Sequence, residues 1–209
     1  MIEIDKVTDT MLNIDGMKAV IFDLDDTLYS EKEYVRSGYR AVAETLPQVK
    51  GAETKLWNAF VNHRSAIDEV LLSEGIYTEE LKMQCLITYR YHQPIIHLYE
   101  GVEAMLNMLH HQEYLLGLIT DGRPEGQQAK IEALGIKALF DHIIVTDELG
   151  GIEYRKPNEK AFVLMREKLD VEFSKMCYVG DNTKKDFIAT EKLGMKAIWF
   201  KNRDSIYNR

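Results

Sequence analysis

At 209 residues, with 45% hydrophobic and 29% charged side chains, the chain can bury a core without a disulfide or a structural metal. A net charge of −8 argues against nucleic acid as a partner, because phosphate backbones meet basic surfaces; a small anion at a local cationic site remains open. No apolar run reaches membrane-spanning length and the N-terminus lacks the blocks of a secretion signal. The expected setting is therefore the cytoplasm, without a membrane partner, and Cys85 and Cys177 are read as reduced thiols.

Residues 1–16 are acidic and weakly patterned, and read as an extra strand or a loose arm. Ala19-Val20-Ile21-Phe22 is a short buried-strand signal that ends on Asp23. Residues 31–94 then break the pattern. They hold no convincing strand, and Leu56, Ala59, Phe60, Ile67, Val70 and Leu71 recur at helical spacing, with Thr78 placed to cap a helix through Leu81, Cys85 and Leu86. His63 is placed on the apolar face of its helix. Four more strand signals follow, at Tyr114–Ile119, Ile143–Val145, Met176–Val179 and Ala197–Phe200. Between them Pro124 and Pro157 fit first helical turns, and Gly135 and Gly194 follow periodic segments as helix-ending glycines do. Short continuous apolar runs separated by helices predict an α/β fold. It has a Rossmann-like parallel sheet core (residues 1–30 and 95–209, with 1–16 as an N-terminal extension) and an inserted small α-helical domain over 31–94.

The polar residues that follow the strands carry the functional signal. Asp23-Leu24-Asp25-Asp26-Thr27 follows the first core strand. Thr120-Asp121-Gly122 follows the second, Lys156-Pro157-Asn158 opens a helix after the third, and Gly180-Asp181-Asn182, with Asp186, follows the fourth. Ligands in open α/β sheets bind at the carboxyl edge of the strands, where these phrases converge. Carboxylates crowded there need a cation or a proton.

Taken in order, the four phrases resemble the signature motifs of the haloacid dehalogenase-like hydrolase superfamily, from Met17 to Phe200. The resemblance implies a phosphatase that hydrolyses a small phosphorylated metabolite. Asp23 would be the nucleophile that carries an aspartyl-phosphate, and Asp25 the acid that protonates the leaving oxygen and then activates water. Thr120 would hold a phosphoryl oxygen, with Asp121 beside it in the phosphate-binding phrase, and Lys156 would offset charge. Mg²⁺ would lie on Asp23, Asp181 and the backbone carbonyl of Asp25; Asp186 would bind it directly or through water, or orient Lys156. The residue types suit that chemistry: a desolvated carboxylate can form a covalent phosphoryl intermediate, and Mg²⁺ takes hard oxygen ligands.

Plainer readings stand beside these. Asp25, Asp26, Asp121 and Asn182 also fit turns, Thr120 a cap, Lys156 a solvated lysine, and Asp181 and Asp186 a turn and a helix start. Arg155 is a second cation beside Lys156. In the superfamily an insert at this position is a helical cap that contacts the leaving group, which makes Arg36, His63, Arg64, Arg90, Tyr91 and His92 specificity candidates. Asp25 points away from dehalogenase and phosphonate-cleaving members, which lack that second aspartate. A β-phosphoglucomutase-like phosphomutase and a non-catalytic regulatory protein of the same fold are the alternatives. The substrate and the oligomeric state are not legible.

Overall fold

The computed structural model describes residues 1–206. Six strands, β1 (Ile2–Ile4), β2 (Ala19–Phe22), β3 (Leu115–Thr120), β4 (His142–Val145), β5 (Met176–Gly180) and β6 (Lys196–Phe200), form one sheet in the order β1-β6-β5-β2-β3-β4. Every pairing is parallel. β2 is fully buried along its length, as a strand covered on both faces must be, which explains its unbroken apolar run. The N-terminal segment supplies an edge strand: Ile2 pairs with Ile198 and Ile4 with Phe200.

Register then fixes the site. Phe22 lies opposite Leu118 on one side and Val179 on the other. Asp23, Thr120 and Asp181 therefore leave neighbouring strand ends within two residues of one level. The sheet order reverses at β2, whose neighbours β3 and β5 continue to opposite edges, and that switch point is where an α/β sheet opens a crevice.

The chain divides into two compact units, one of Met1–Glu31 and the chain from His97 onward, the other of Lys32–Ile96. The second is helical, with α1 (Glu31–Glu44) from Lys32 on, α2 (Ala52–Val61), α3 (Ala66–Ser73) and α4 (Glu79–Tyr91). Its core gathers Val42, Leu46, Leu56, Leu71 and Cys85, and the Thr78 side chain caps α4 by accepting from the Leu81 N–H at 3.1 Å. The first unit adds α5 (Val102–His111), α6 (Pro124–Ala133), α7 (Lys160–Leu169) and α8 (Asp186–Lys192). Ile21, Ile119, Phe162, Met165, Tyr178 and Phe187 pack together in its core. Among the described residues no helix is long and apolar enough to cross a membrane.

Two local expectations are corrected. His63 is exposed, not on an apolar helix face: α2 ends at Val61, and His63 follows in a left-handed turn at φ 57°. Pro157 does not open a helix either; it lies in a turn, and α7 begins at Lys160.

Candidate active site

The strand-end phrases meet around Asp23. Its backbone N–H donates to Val179 O at 2.9 Å, which continues the β2–β5 ladder and fixes the residue at the strand tip. Lys156, buried at 5% exposure, donates from Nζ to Asp23 Oδ1 at 2.6 Å and to Tyr178 OH at 2.8 Å, and lies 2.8 Å from Asp186 Oδ1. Burial alone would lower the Lys156 ammonium, but the charges of Asp186 and Asp23 more than reverse this and hold it well above the ordinary lysine range. Arg155 is engaged elsewhere, in a two-pronged pair with Asp147 at 2.7 Å for each contact.

Asp186 is fixed from three sides, by Lys156, by the Asn182 N–H on Oδ2 at 2.9 Å and by Tyr178 OH, which donates to Oδ1 at 3.4 Å. Gly180 makes this approach possible, since a Cβ there would lie 2.6 Å from Asp186 Oδ2. Asp181 accepts from Ser205 Oγ at 2.9 Å, and its backbone carbonyl accepts from Trp199 Nε1 at 2.9 Å.

Oxygens of Asp23, Asp181 and Asp186 all lie within 4.8 Å of one another. Burial pushes the Asp23 carboxyl up to about 6, with Lys156 opposing and Asp186 reinforcing. Burial, then the charges of Asp23 and Asp186, push Asp181 up to about 8. Among the described residues Asp23 Oδ2 is buried without a hydrogen-bond partner. Three buried carboxylates, one with an unsatisfied oxygen, form a hard-oxygen donor set that fits a divalent cation such as Mg²⁺.

Thr120 is fully buried at the tip of β3, and its Oγ1 accepts from Gln127 Nε2. Asp121 fastens loops together: Oδ1 accepts from Thr146 Oγ1 and from the Lys156 N–H, both at 3.0 Å, and Oδ2 lies 3.5 Å from Lys185 Nζ. A carboxylate offers a phosphoryl oxygen no donor, so the phosphate contact expected of Asp121 would have to come from its backbone N–H. Asp26 is structural. Its Oδ1 accepts from the Glu31 N–H at 2.8 Å and its Oδ2 from the Ile206 N–H at 2.9 Å, while its carbonyl accepts from Asn202 Nδ2 at 2.7 Å.

Asp25 has a set of partners that sequence reasoning missed. Oδ1 accepts from the Tyr29 hydroxyl and from Lys130 Nζ at 2.7 Å, and Oδ2 accepts from Gln127 Nε2 at 2.9 Å. Burial raises this carboxyl, but Lys130, Tyr29 and Gln127 outweigh it and leave it below its ordinary value. In the sequence Tyr178 belongs to the apolar run of its strand, which hides its hydroxyl's part in the site. Gln127 and Lys130 left a trace in the sequence, because they fall at core-facing positions of their helix, in step with Ile131 and Leu134.

Comparison with known proteins agrees with the geometry. Residues 20–200 match the model of the haloacid dehalogenase-like hydrolases. The glyceraldehyde 3-phosphate phosphatase of Methanopyrus kandleri is 29% identical to this chain, over 87% of the chain and 83% of the relative. A HAD phosphatase from Thermococcus onnurineus has the same fold at TM-score 0.57 and 24% identity, covering 92% of this chain and 90% of that one. So does a 2-haloacid dehalogenase from Pseudomonas syringae, at TM-score 0.60 and 22% identity, covering 88% and 86%. One architecture thus hosts two chemistries. With the match spanning most of its length, the chain belongs to the haloacid dehalogenase-like hydrolase family.

Proposed function

We propose that the protein is a Mg²⁺-dependent phosphatase that hydrolyses a small phosphomonoester through an aspartyl-phosphate on Asp23. The observation that carries this reading is the asymmetry of Asp23: one oxygen is held by Lys156, the other is buried and among the described residues has no hydrogen-bond partner, and the residue belongs to a cluster in which oxygens of Asp23, Asp181 and Asp186 lie within 4.8 Å of one another.

Asp23 attacks phosphorus, a P–O bond forms, and the bond to the leaving group breaks with its electron pair passing to the leaving oxygen. Asp25 enters this step in its minor protonated form and gives the leaving oxygen the proton it needs, and a proton from the water that hydrolyses the intermediate returns it to that form. Thr120 and Lys156 steady the phosphoryl oxygens. Asp23, Asp181 and the Asp25 carbonyl, with Asp186 beside them, would hold Mg²⁺, and the bound ion would supply the positive charge that a phosphoryl group needs to approach these carboxylates. The presence of Asp25 favours phosphoryl over carbon–halogen chemistry. All these residues lie in the first unit, so the helical unit is assigned the choice of leaving group. The name of the Methanopyrus relative makes a three-carbon phosphorylated aldehyde the first substrate to try.

The test is hydrolysis of glyceraldehyde 3-phosphate and of 4-nitrophenyl phosphate by metal-stripped protein with and without Mg²⁺, together with acid-quench trapping of labelled phosphoenzyme. Activity should appear only with the metal, and Asp23→Asn should lose both turnover and the trapped label. Full turnover in excess EDTA, or undiminished labelling of Asp23→Asn, overturns the proposal.

A further inference from the structure

The buried face of α6 is unusual for a core helix: its buried residues are Gln127, Lys130 and Ile131. Pro124 at the helix start sets the phase, and the i, i+3 spacing puts Gln127 and Lys130 on one side. Lys130 is only 4% exposed and Gln127 3%. A buried ammonium is unfavourable unless paired, and an apolar side chain of similar length would pack there without that demand. The polar pair therefore needs a reason, and its contacts supply one. Lys130 Nζ reaches Asp25 Oδ1 at 2.7 Å, and Gln127 Nε2 reaches Asp25 Oδ2 at 2.9 Å. With Tyr29 also on Oδ1, both carboxylate oxygens are held. The same Gln127 nitrogen donates to Thr120 Oγ1. Because that bond occupies a lone pair of the Thr120 hydroxyl, the hydroxyl hydrogen is directed away from α6.

We infer that Lys130 is a positioning residue that fixes Asp25 for proton transfer, and that Gln127 ties this position to the Thr120 hydroxyl. The inference rests on the phosphatase reading above. Lys130 itself does no bond-making; it determines where the Asp25 carboxyl stands when the leaving oxygen takes its proton.

The experiment compares leaving groups. Rapid-quench rates of leaving-group release are measured with Mg²⁺ for an unactivated alkyl phosphate, whose leaving oxygen needs a proton, and for 4-nitrophenyl phosphate, whose leaving oxygen does not. General acid–base catalysis contributes roughly 10²–10⁴-fold, so a misplaced acid forfeits a sizeable part of that. Lys130→Met should slow the alkyl ester at least about tenfold more than the aryl ester. Lys130→Arg should restore part of the difference. In an Asp25→Asn background Lys130→Met should add no further selective loss, because both act on one step. Tyr29→Phe, a milder change at the same carboxylate, should show the same selectivity to a smaller degree and serves if Lys130→Met does not fold. Equal losses on both esters, or a full additional loss in the double variant, overturn the positioning role. An Asp25→Asn protein that itself fails to discriminate between the esters overturns the acid assignment, and with it this inference. That outcome is seen in the single variant alone, so the two failures are distinguishable.

Discussion

Lys156→Met tests how strongly the fold depends on its buried cation. Methionine keeps the length of the side chain and removes the charge. The lost ammonium touches Asp23 at 2.6 Å, and Asp186 and Tyr178 at 2.8 Å each, and its side chain is fully buried. Its removal leaves Asp23 and Asp186 facing each other and Asp181, with their oxygens within 4.8 Å. Taking one partner from a buried ion pair typically costs about 3–5 kcal/mol. For a chain of this length each kcal/mol moves Tm by about 2–4 °C, so the variant should melt about 6–20 °C lower in EDTA at neutral pH. Circular dichroism melts and urea titrations measure this directly. The deficit should shrink at pH 5, where the stranded carboxylates take up protons, and in saturating Mg²⁺, which binds the folded state. A loss below about 1 kcal/mol in EDTA at neutral pH would refute the claim that Lys156 neutralises the cluster, since only an exposed pair is worth so little.

Two further outcomes follow from the same cluster. Asp23 and Asp181 have folded-state values near 6 and 8, raised from 3.8, so the metal-free folded protein binds more protons than the unfolded chain across that window. The stability they contribute is full below about pH 4 and is lost as the pH rises through 6 and then 8; urea midpoints in EDTA should fall from pH 5 to 8, less steeply in Asp181→Asn, and an equally steep fall in that variant would count against the assignment. Gly180→Ala should displace Asp186 from Lys156, because the new methyl would lie 2.6 Å from Asp186 Oδ2 and 2.9 Å from its Cγ. A stability loss of about 1–3 kcal/mol is expected, with a fall in kcat beyond what the folded fraction explains; normal turnover would show that the Asp186 position is not needed.

The sequence made some parts of this site legible and left others hidden, for physical reasons. Asp23, Thr120 and Asp181 follow unbroken apolar runs, and a run buried on both faces ends where the sheet meets solvent, so their placement follows from local pattern. Gln127 and Lys130 obey no such rule, because helical periodicity assigns their positions to apolar side chains and only the approach of Asp25, more than a hundred residues away, accounts for them. Tyr178 was hidden because its ring belongs to the core while its hydroxyl belongs to Lys156. For His63 the sequence holds no stop signal in α2, yet the helix ends at Val61, before reaching it. Asn202 and Ser205 lie in an aperiodic segment, and their partners Asp26 and Asp181 are not neighbours in sequence.

Those last contacts bear on how the protein is made. Lys201 donates its N–H to Ile4 O at 2.8 Å, Asn202 reaches Asp26, Ser205 reaches Asp181, and the Ile206 N–H reaches Asp26 Oδ2. Synthesis delivers the N-terminal end of a chain first and domains fold as units, and here a carboxylate at position 26 waits for a donor at position 206. A nascent chain that has exposed every strand still lacks the hydroxyl that steadies Asp181. Until residue 206 is released from the exit tunnel, the acidic cluster stays incompletely held, and a stalled or prematurely terminated product ending at Phe200 would carry every candidate catalytic residue without the donors that fix Asp26 and Asp181.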